Sequence, residues 1–115
     1  MRRAVASGAA QLIEFLQNAF GAIVEMRHDA GGHVKNAVVR LHDAALEIAE
    51  GDDSRFPAPA AFVLSVDDCE AVYRRALAAG ARSLYPPAAQ TFGGVMTGVA
   101  DAWGNEWFIA SATKA

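Results

Sequence analysis

Cysteine is nearly absent from this chain: Cys69 stands alone, so no intrachain disulfide can form, which fits a reducing compartment. Basic clusters are absent too. Ten Lys and Arg against 13 Asp and Glu leave a formal net charge of −3. Phosphate binding needs clustered cations, so the charge pattern argues against nucleic acid as a main partner. No apolar run approaches the roughly 20 residues of a membrane-spanning helix. The opening MRRAVASGAA has arginines but no continuous apolar core behind them, so it does not read as a secretion signal. A cytoplasmic protein without a membrane partner is the expectation. There is no nucleophile elbow, no Gly-rich phosphate loop and no usable Ser, His and Asp order.

What is present suits one globular domain. The 115 residues are 53% hydrophobic and 20% charged. A chain this long buries roughly two-thirds of its unfolded surface and needs no staple. Ala4 to Ala6 offers a short strand, and Ser7 or Gly8 can open a helix. Ala9, Leu12, Ile13, Leu16 and Phe20 then fall on one helical face, and Gly21 supplies a left-handed stop. Ile23, Val24 and Met26 predict a strand, and Asp29 to Gly32 a turn. Val34 to Leu41 alternates, with Asn36, Val38 and Arg40 on one face and Ala37, Val39 and Leu41 on the other. After a turn at His42-Asp43, Ala45 to Ala49 returns with Glu47 pointing away from Leu46 and Ile48. Gly51 to Pro59 has linker composition.

The second half repeats the order. Phe62, Leu64 and Val66 alternate with Ala61, Val63 and Ser65. Asp67 is predicted to cap a helix, with Glu70 completing a capping box. Cys69, Val72, Tyr73, Ala76 and Leu77 make its apolar stripe, and Glu70 is spaced to pair with Arg74. Gly80 ends this helix. Arg82 to Tyr85 starts a strand that Pro86-Pro87 should break. Val95, Thr97 and Val99, the turn Asp101 to Asn105, and Trp107-Phe108-Ile109 form a closing hairpin too apolar to stand uncovered. Phe20-Gly21-Ala22 and Ala79-Gly80-Ala81 both lead from helix to strand, about half a chain apart. The simplest reading is an internal duplication of a strand-helix-three-strand unit.

This order, with Val66-Asp67-Asp68 entering the second helix, resembles the vicinal oxygen chelate superfamily of glyoxalase I, bleomycin-resistance proteins, extradiol dioxygenases and fosfomycin-resistance enzymes. Leu12-Ile13-Glu14-Phe15 through Ala19-Phe20-Gly21-Ala22 is similar to the first helix of its PhnB-like branch. Asp101 to Trp107 resembles that branch's turn, with Ala102 where proline is usual. The resemblance spans nearly the whole chain. It implies an α+β fold in which two βαβββ modules form a curved mixed sheet with a cleft, the first strand being short. Module one would cover about 1–50, the linker 51–59 and module two 60–115. It also implies a homodimer.

The superfamily's enzymes generally hold a divalent metal at cleft-facing positions on four strands. By resemblance these fall near Met1, on Glu47, on Ala61 and on Phe108. Only Glu47 can ligate, and one carboxylate does not replace the several N or O ligands such a site needs. No cofactor is therefore expected, the alternative being a divalent metal held by fewer protein ligands plus water. Glu47 reads as a general base or a ligand-binding carboxylate, or else as the structural partner of Arg40. His28 and His33 flank a Gly-rich turn and could oppose one another, but a third ligand is missing. His42 stands a few residues before Glu47 as a weaker catalytic partner. Cys69 lies between Asp68 and Glu70, which oppose a thiolate, so it reads as a small core residue.

By alternation Phe62 and Trp107 face the helices, while Phe108 shares the cleft with Ala61 and Val63. Phe92, Tyr85 and Trp103 are placed near the cleft's loops. An apolar cleft of this kind suits a small organic ligand bound without metal. Its expected contacts are Asn36, Val38, Arg40 and Glu47 from module one, with Ala61, Val63, Phe92 and Phe108 from module two. The alternatives are a divergent glyoxalase-like lyase or isomerase using Glu47, and a dimeric structural protein whose aromatics fill the interface.

Overall fold

The computed structural model describes residues 1–91 and 93–112. The first repeat contains β1 (Arg2–Ala6), α1 (Ala9–Phe20), β2 (Ile23–Ala30), β3 (His33–Leu41) and β4 (Ala44–Glu50). The second contains β5 (Ala61–Ser65), α2 (Cys69–Ala78), β6 (Arg82–Ala89), β7 (Val95–Ala100) and β8 (Glu106–Ser111). The strands form two 4-stranded mixed sheets, ordered β1-β4-β3-β2 and β5-β8-β7-β6. In each, the first pair is parallel and the other pairs antiparallel. The duplication read from the two glycine stops is thus repeated in the topology, strand for strand.

The helices cover one face of the sheets. α1 buries Leu12, Ile13, Leu16 and Phe20 against β3 and β4 and meets α2 along its side. Both of its ends are capped from a distance. Gly8 offers no side chain, so the Glu50 carboxylate at the end of β4 accepts the N–H groups of Gly8 and Ala9, at 3.0 and 2.9 Å. At the other end Arg75 of α2 donates to the carbonyls of Asn18 and Gln17, at 2.8 and 3.3 Å. Burial pushes the Glu50 carboxyl up, but the two backbone donors outweigh it and hold it below its usual range.

Three local expectations are corrected. The cap of α2 is Asp68, which accepts from the Ala71 N–H at 3.1 Å, and not Asp67. Val66 still donates to the Ala110 carbonyl of β8, so the chain leaves the sheet one residue later. Glu70 forms no capping box and pairs with Arg74 at 3.3 Å. Pro86-Pro87 do not break β6. It is the edge strand of its sheet, where missing N–H groups are tolerated, and its register slips on both sides of Tyr85. Thr97 Oγ1 donates to the Tyr85 carbonyl at 2.7 Å and holds the strand there. The first hairpin turns only at Gly31-Gly32, both at positive φ, because Asp29 and Ala30 remain paired to β3.

Trp107 joins the repeats. Its fully buried ring stacks on Phe62 of β5 with centroids 4.5 Å apart and tilts against Phe20 of α1 at 5.3 Å. Its indole N–H donates to Asp101 Oδ2 at 2.9 Å. Asp101 also accepts from the backbone of Trp103 and Asn105 and from Asn105 Nδ2. Asn105 Oδ1 in turn accepts from the Ala60 N–H at 3.0 Å, at the entry to β5. Trp103, expected near the cleft's loops, packs on the helix side: its ring is 6.4 Å from Phe15 and its N–H donates to the Ser7 carbonyl. The turn that Asp101 ties directs it there.

The short first strand is less open than a bare edge. Val5 pairs with Ala58 of the 51–59 segment, and the Arg2 guanidinium donates to the Ala61 carbonyl while lying over the Phe62 ring. Among the described residues no helix is long and apolar enough to cross a membrane.

Two stability measurements follow from these ties. Asp101→Ala should cost roughly 2–4 kcal/mol in urea unfolding, because it strands several buried donors, and Asp101→Asn should cost less. A loss near zero for both would show that the turn does not depend on the carboxylate. For Glu50 the folded pKa is depressed, so its contribution is full above the unfolded carboxylate value of 4.5 and fades as pH falls through the lower folded value. The stability gap between the native chain and Glu50→Gln should therefore shrink on acidification below that value. A gap independent of pH would contradict the cap.

Candidate functional site

The face turned away from the helices carries two matching rows of side chains. Across the first sheet the paired positions are Arg3, Glu47, Val38 and Met26, on β1, β4, β3 and β2. Across the second they are Val63, Phe108, Gly98 and Tyr85, on β5, β8, β7 and β6. Each row crosses all four strands, so the duplication sets Arg3 in the place of Val63 and Glu47 in the place of Phe108. β1 and β5 adjoin at the centre, where Arg2 reaches the Ala61 carbonyl and lies over Phe62 on the helix side.

The first row is polar at its centre. Arg3 Nε donates to Glu47 Oε1 at 2.7 Å, and Asn36 Nδ2 lies 3.5 Å from Oε2. The Arg3 hydrogen bond is the main reason that Glu47 sits below the usual carboxylate range. Burial opposes it, and Asn36 and the charge of Arg55 add to it. Arg40, expected as the partner of Glu47, pairs with Glu25 at 2.8 Å instead. The register explains this: Arg40 stands opposite Ala45 and Ile23, whereas Glu47 stands opposite Val38. Val38 and Asn36 are half-buried beside Glu47, and Arg40 is exposed at the end of β3.

The second row is apolar. Tyr85 and Phe108 close over the bare backbone of Gly98, their centroids 6.4 Å apart and their planes 30° from parallel. A Cβ at Gly98 would lie 3.0 Å from the Tyr85 ring and 3.2 Å from Phe108. Val63 stands next to Phe108 and is 61% exposed. Ala61 is exposed two pairs along, opposite Glu106. Phe92 lies outside the described residues.

The other candidates do not converge on this face. His28 pairs with Asn36 and His33 with Ala30, so the two histidines are not opposite one another. His42 occupies the β3–β4 turn at φ 53°, and the side-chain partners of Glu47 are Arg3 and Asn36. Cys69 is buried, with Sγ donating to the Ile109 carbonyl. Burial first, then Asp68 and Glu70, push its thiol up, away from nucleophilic duty. A cavity of about 280 Å³ beside Cys69 is lined by Asp68, Glu70, Arg74, Pro87 and Val95. It opens at the start of α2, apart from both rows.

The residues of the rows do not fit a divalent metal. Arg3 and Glu47 satisfy one another, and Val63 and Phe108 offer only hydrocarbon. Among the described residues no group of three His, Cys, Asp or Glu side chains comes together. Sequence reasoning missed Arg3, because its partner lies across a helix and two strands. It also missed the Tyr85–Gly98–Phe108 contact, although a lone glycine inside a strand is a signal for close approach.

Two βαβββ units with a helix-free face define the class, and the sequence agrees. Residues 4–109 match the family model of the Glyoxalase/Bleomycin resistance protein/Dioxygenase superfamily, and the chain belongs to it. Among solved structures it is similar to TioX from Micromonospora sp. ML1, with TM-score 0.83 and 17% identity over 100% of this chain and 96% of that one. A glyoxalase-related enzyme from Fulvimarina pelagi gives TM-score 0.74 and 19% identity over 96% of this chain and 86% of that one. A glyoxalase I mutant from Zea mays gives 0.76 and 15% over 100% of this chain but 45% of its own. At these identities the likeness is one of fold. No curated protein matches the sequence.

Gly98→Ala tests the close approach directly. The added methyl must push the Tyr85 and Phe108 rings apart, so it should cost about 1–3 kcal/mol in chemical unfolding and alter the near-UV circular dichroism of the aromatics. A neutral substitution with an unchanged spectrum would show that the rings do not pack on the glycine.

Proposed function

We propose that this protein binds a small aromatic or apolar compound without a metal, on the row formed by Val63, Phe108, Gly98 and Tyr85. The observation that carries the reading is the closure of two aromatic rings over a bare glycine, beside a Val63 that is 61% exposed. That surface is apolar and aromatic, which supports a planar aromatic ligand. Covering it removes apolar area from water, worth roughly 25 cal/mol for each Å². Asn36, Val38 and Glu47 belong to the polar end of the same face.

A lyase or isomerase using Glu47 is the weaker reading. A general base works best with a pKa near the operating pH, and Arg3 drives Glu47 the other way. A purely structural role draws on the apolar groups left outside: Ile23 is 63% exposed and Phe56 75% exposed. We favour a cytoplasmic homodimer in which a second copy shelters such groups and leaves the ligand row accessible.

A thermal-shift panel of planar aromatic compounds in EDTA, followed by calorimetry on the hits, tests the reading. Hits should bind without added metal, and Phe108→Ala should weaken them about tenfold or more while keeping a native circular dichroism spectrum. A panel with no hits, or binding that requires added Zn, Ni or Mn, would sink it.

A further inference from the structure

The polar end of the face has a feature that a relic ion pair does not need. Arg3 engages Glu47 through Nε, and its side chain is still 47% exposed. A guanidinium carries five N–H donors in a rigid fork. Among the described residues no acceptor is bonded to its two terminal amino groups, and the edge between them matches a pair of oxygens on one acid. Glu47 fixes the fork from the neighbouring strand, and Asn36 in turn contacts Glu47 at 3.5 Å. The cation is thus carried on paired strands rather than on a loop, which is how a binding group is held in one orientation.

Position and charge agree with this use. Arg2, the residue before Arg3, reaches the carbonyl of Ala61, two residues before Val63. β1 and β5 therefore run side by side there, and because Arg2 lies over Phe62 on the helix side, alternation puts Arg3 and Val63 on the opposite face. Glu47 neutralises one positive charge, and Arg55 supplies a second positive field at the same carboxylate. Glu106, exposed opposite Ala61, is the opposing charge on the second module's side. An anionic ligand is favoured only where it reaches the Arg3 fork.

Resting on the ligand-binding reading above, we propose that the Arg3 guanidinium, held by Glu47, is the polar anchor of the apolar row, so that the ligand is a planar aromatic acid. Its ring lies on Phe108 and Tyr85, and its carboxylate or phenolate oxygen accepts from the terminal amino groups of Arg3. Glu47 is then a positioning residue, neither base nor ligand contact.

Calorimetry with 2-naphthoate and 2-naphthamide, an acid and its neutral counterpart, provides the test. The native chain should bind the acid about tenfold more tightly than the amide, as one charge-assisted contact allows. Arg3→Gln should abolish that preference, the acid falling to the affinity of the amide. Glu47→Gln keeps an acceptor for Nε and should retain the preference; Glu47→Ala frees the fork and should lose most of it. Raising the salt concentration should weaken the acid alone. Equal binding of acid and amide by the native chain, or a preference that survives Arg3→Gln, would overturn the anchor while leaving the apolar row in place. Binding of neither compound would overturn both.

Discussion

The Asp101 carboxylate is buried, and a buried charge is costly unless its oxygens are fully engaged. Here they are engaged by the Asn105 amide, two backbone N–H groups and the indole of Trp107. This single group closes the β7–β8 turn, and through Asn105 it also sets where β5 begins. Trp107, oriented from its polar end, then offers its ring to Phe62 on one side and Phe20 on the other. The second sheet and the first helix meet on that ring. With the helix side of β8 settled by Trp107 and Ile109, alternation leaves Phe108 to the opposite face.

The two modules have kept one architecture and parted in chemistry. Equivalent positions hold Arg3 and Val63 on the first strands, and Glu47 and Phe108 on the last. One module presents an ion pair and the other an aromatic platform. A face built this way is polar at one end and apolar at the other, which would orient a ligand of matching polarity along it. It also explains why Glu47 is not free for other work, because its charge is committed to a neighbour 2.7 Å away.

Much of the fold was legible because it is written in short-range patterns. The α1 stripe, the glycine stops, the strand alternation and the Trp107–Phe108 parity all depend on residues a few positions apart. What escaped was long-range. Glu50 and Arg75 cap α1 from other elements, and Arg3 meets Glu47 only through a parallel pairing that spans a helix and two strands. The pairing of Glu47 with Arg40 failed because two residues on one sheet face need not share a row. Pro86-Pro87 misled because proline ends a central strand but not an edge, and edge status is a property of the sheet. Trp103 misled because an Asx-type bond from Asp101 decides its direction.

In the proposed function the apolar row of the second module receives a ligand without a metal. Amide chemical-shift mapping of the labelled protein, titrated with 2-naphthoate in excess EDTA, addresses it most directly. Saturable shifts are expected, centred on Val63, Gly98 and Phe108, with a smaller set at Arg3 and Glu47. Shifts centred on Asp68, Cys69 and Glu70 beside the α2 cavity, or shifts that arise only when Zn is restored, would contradict it.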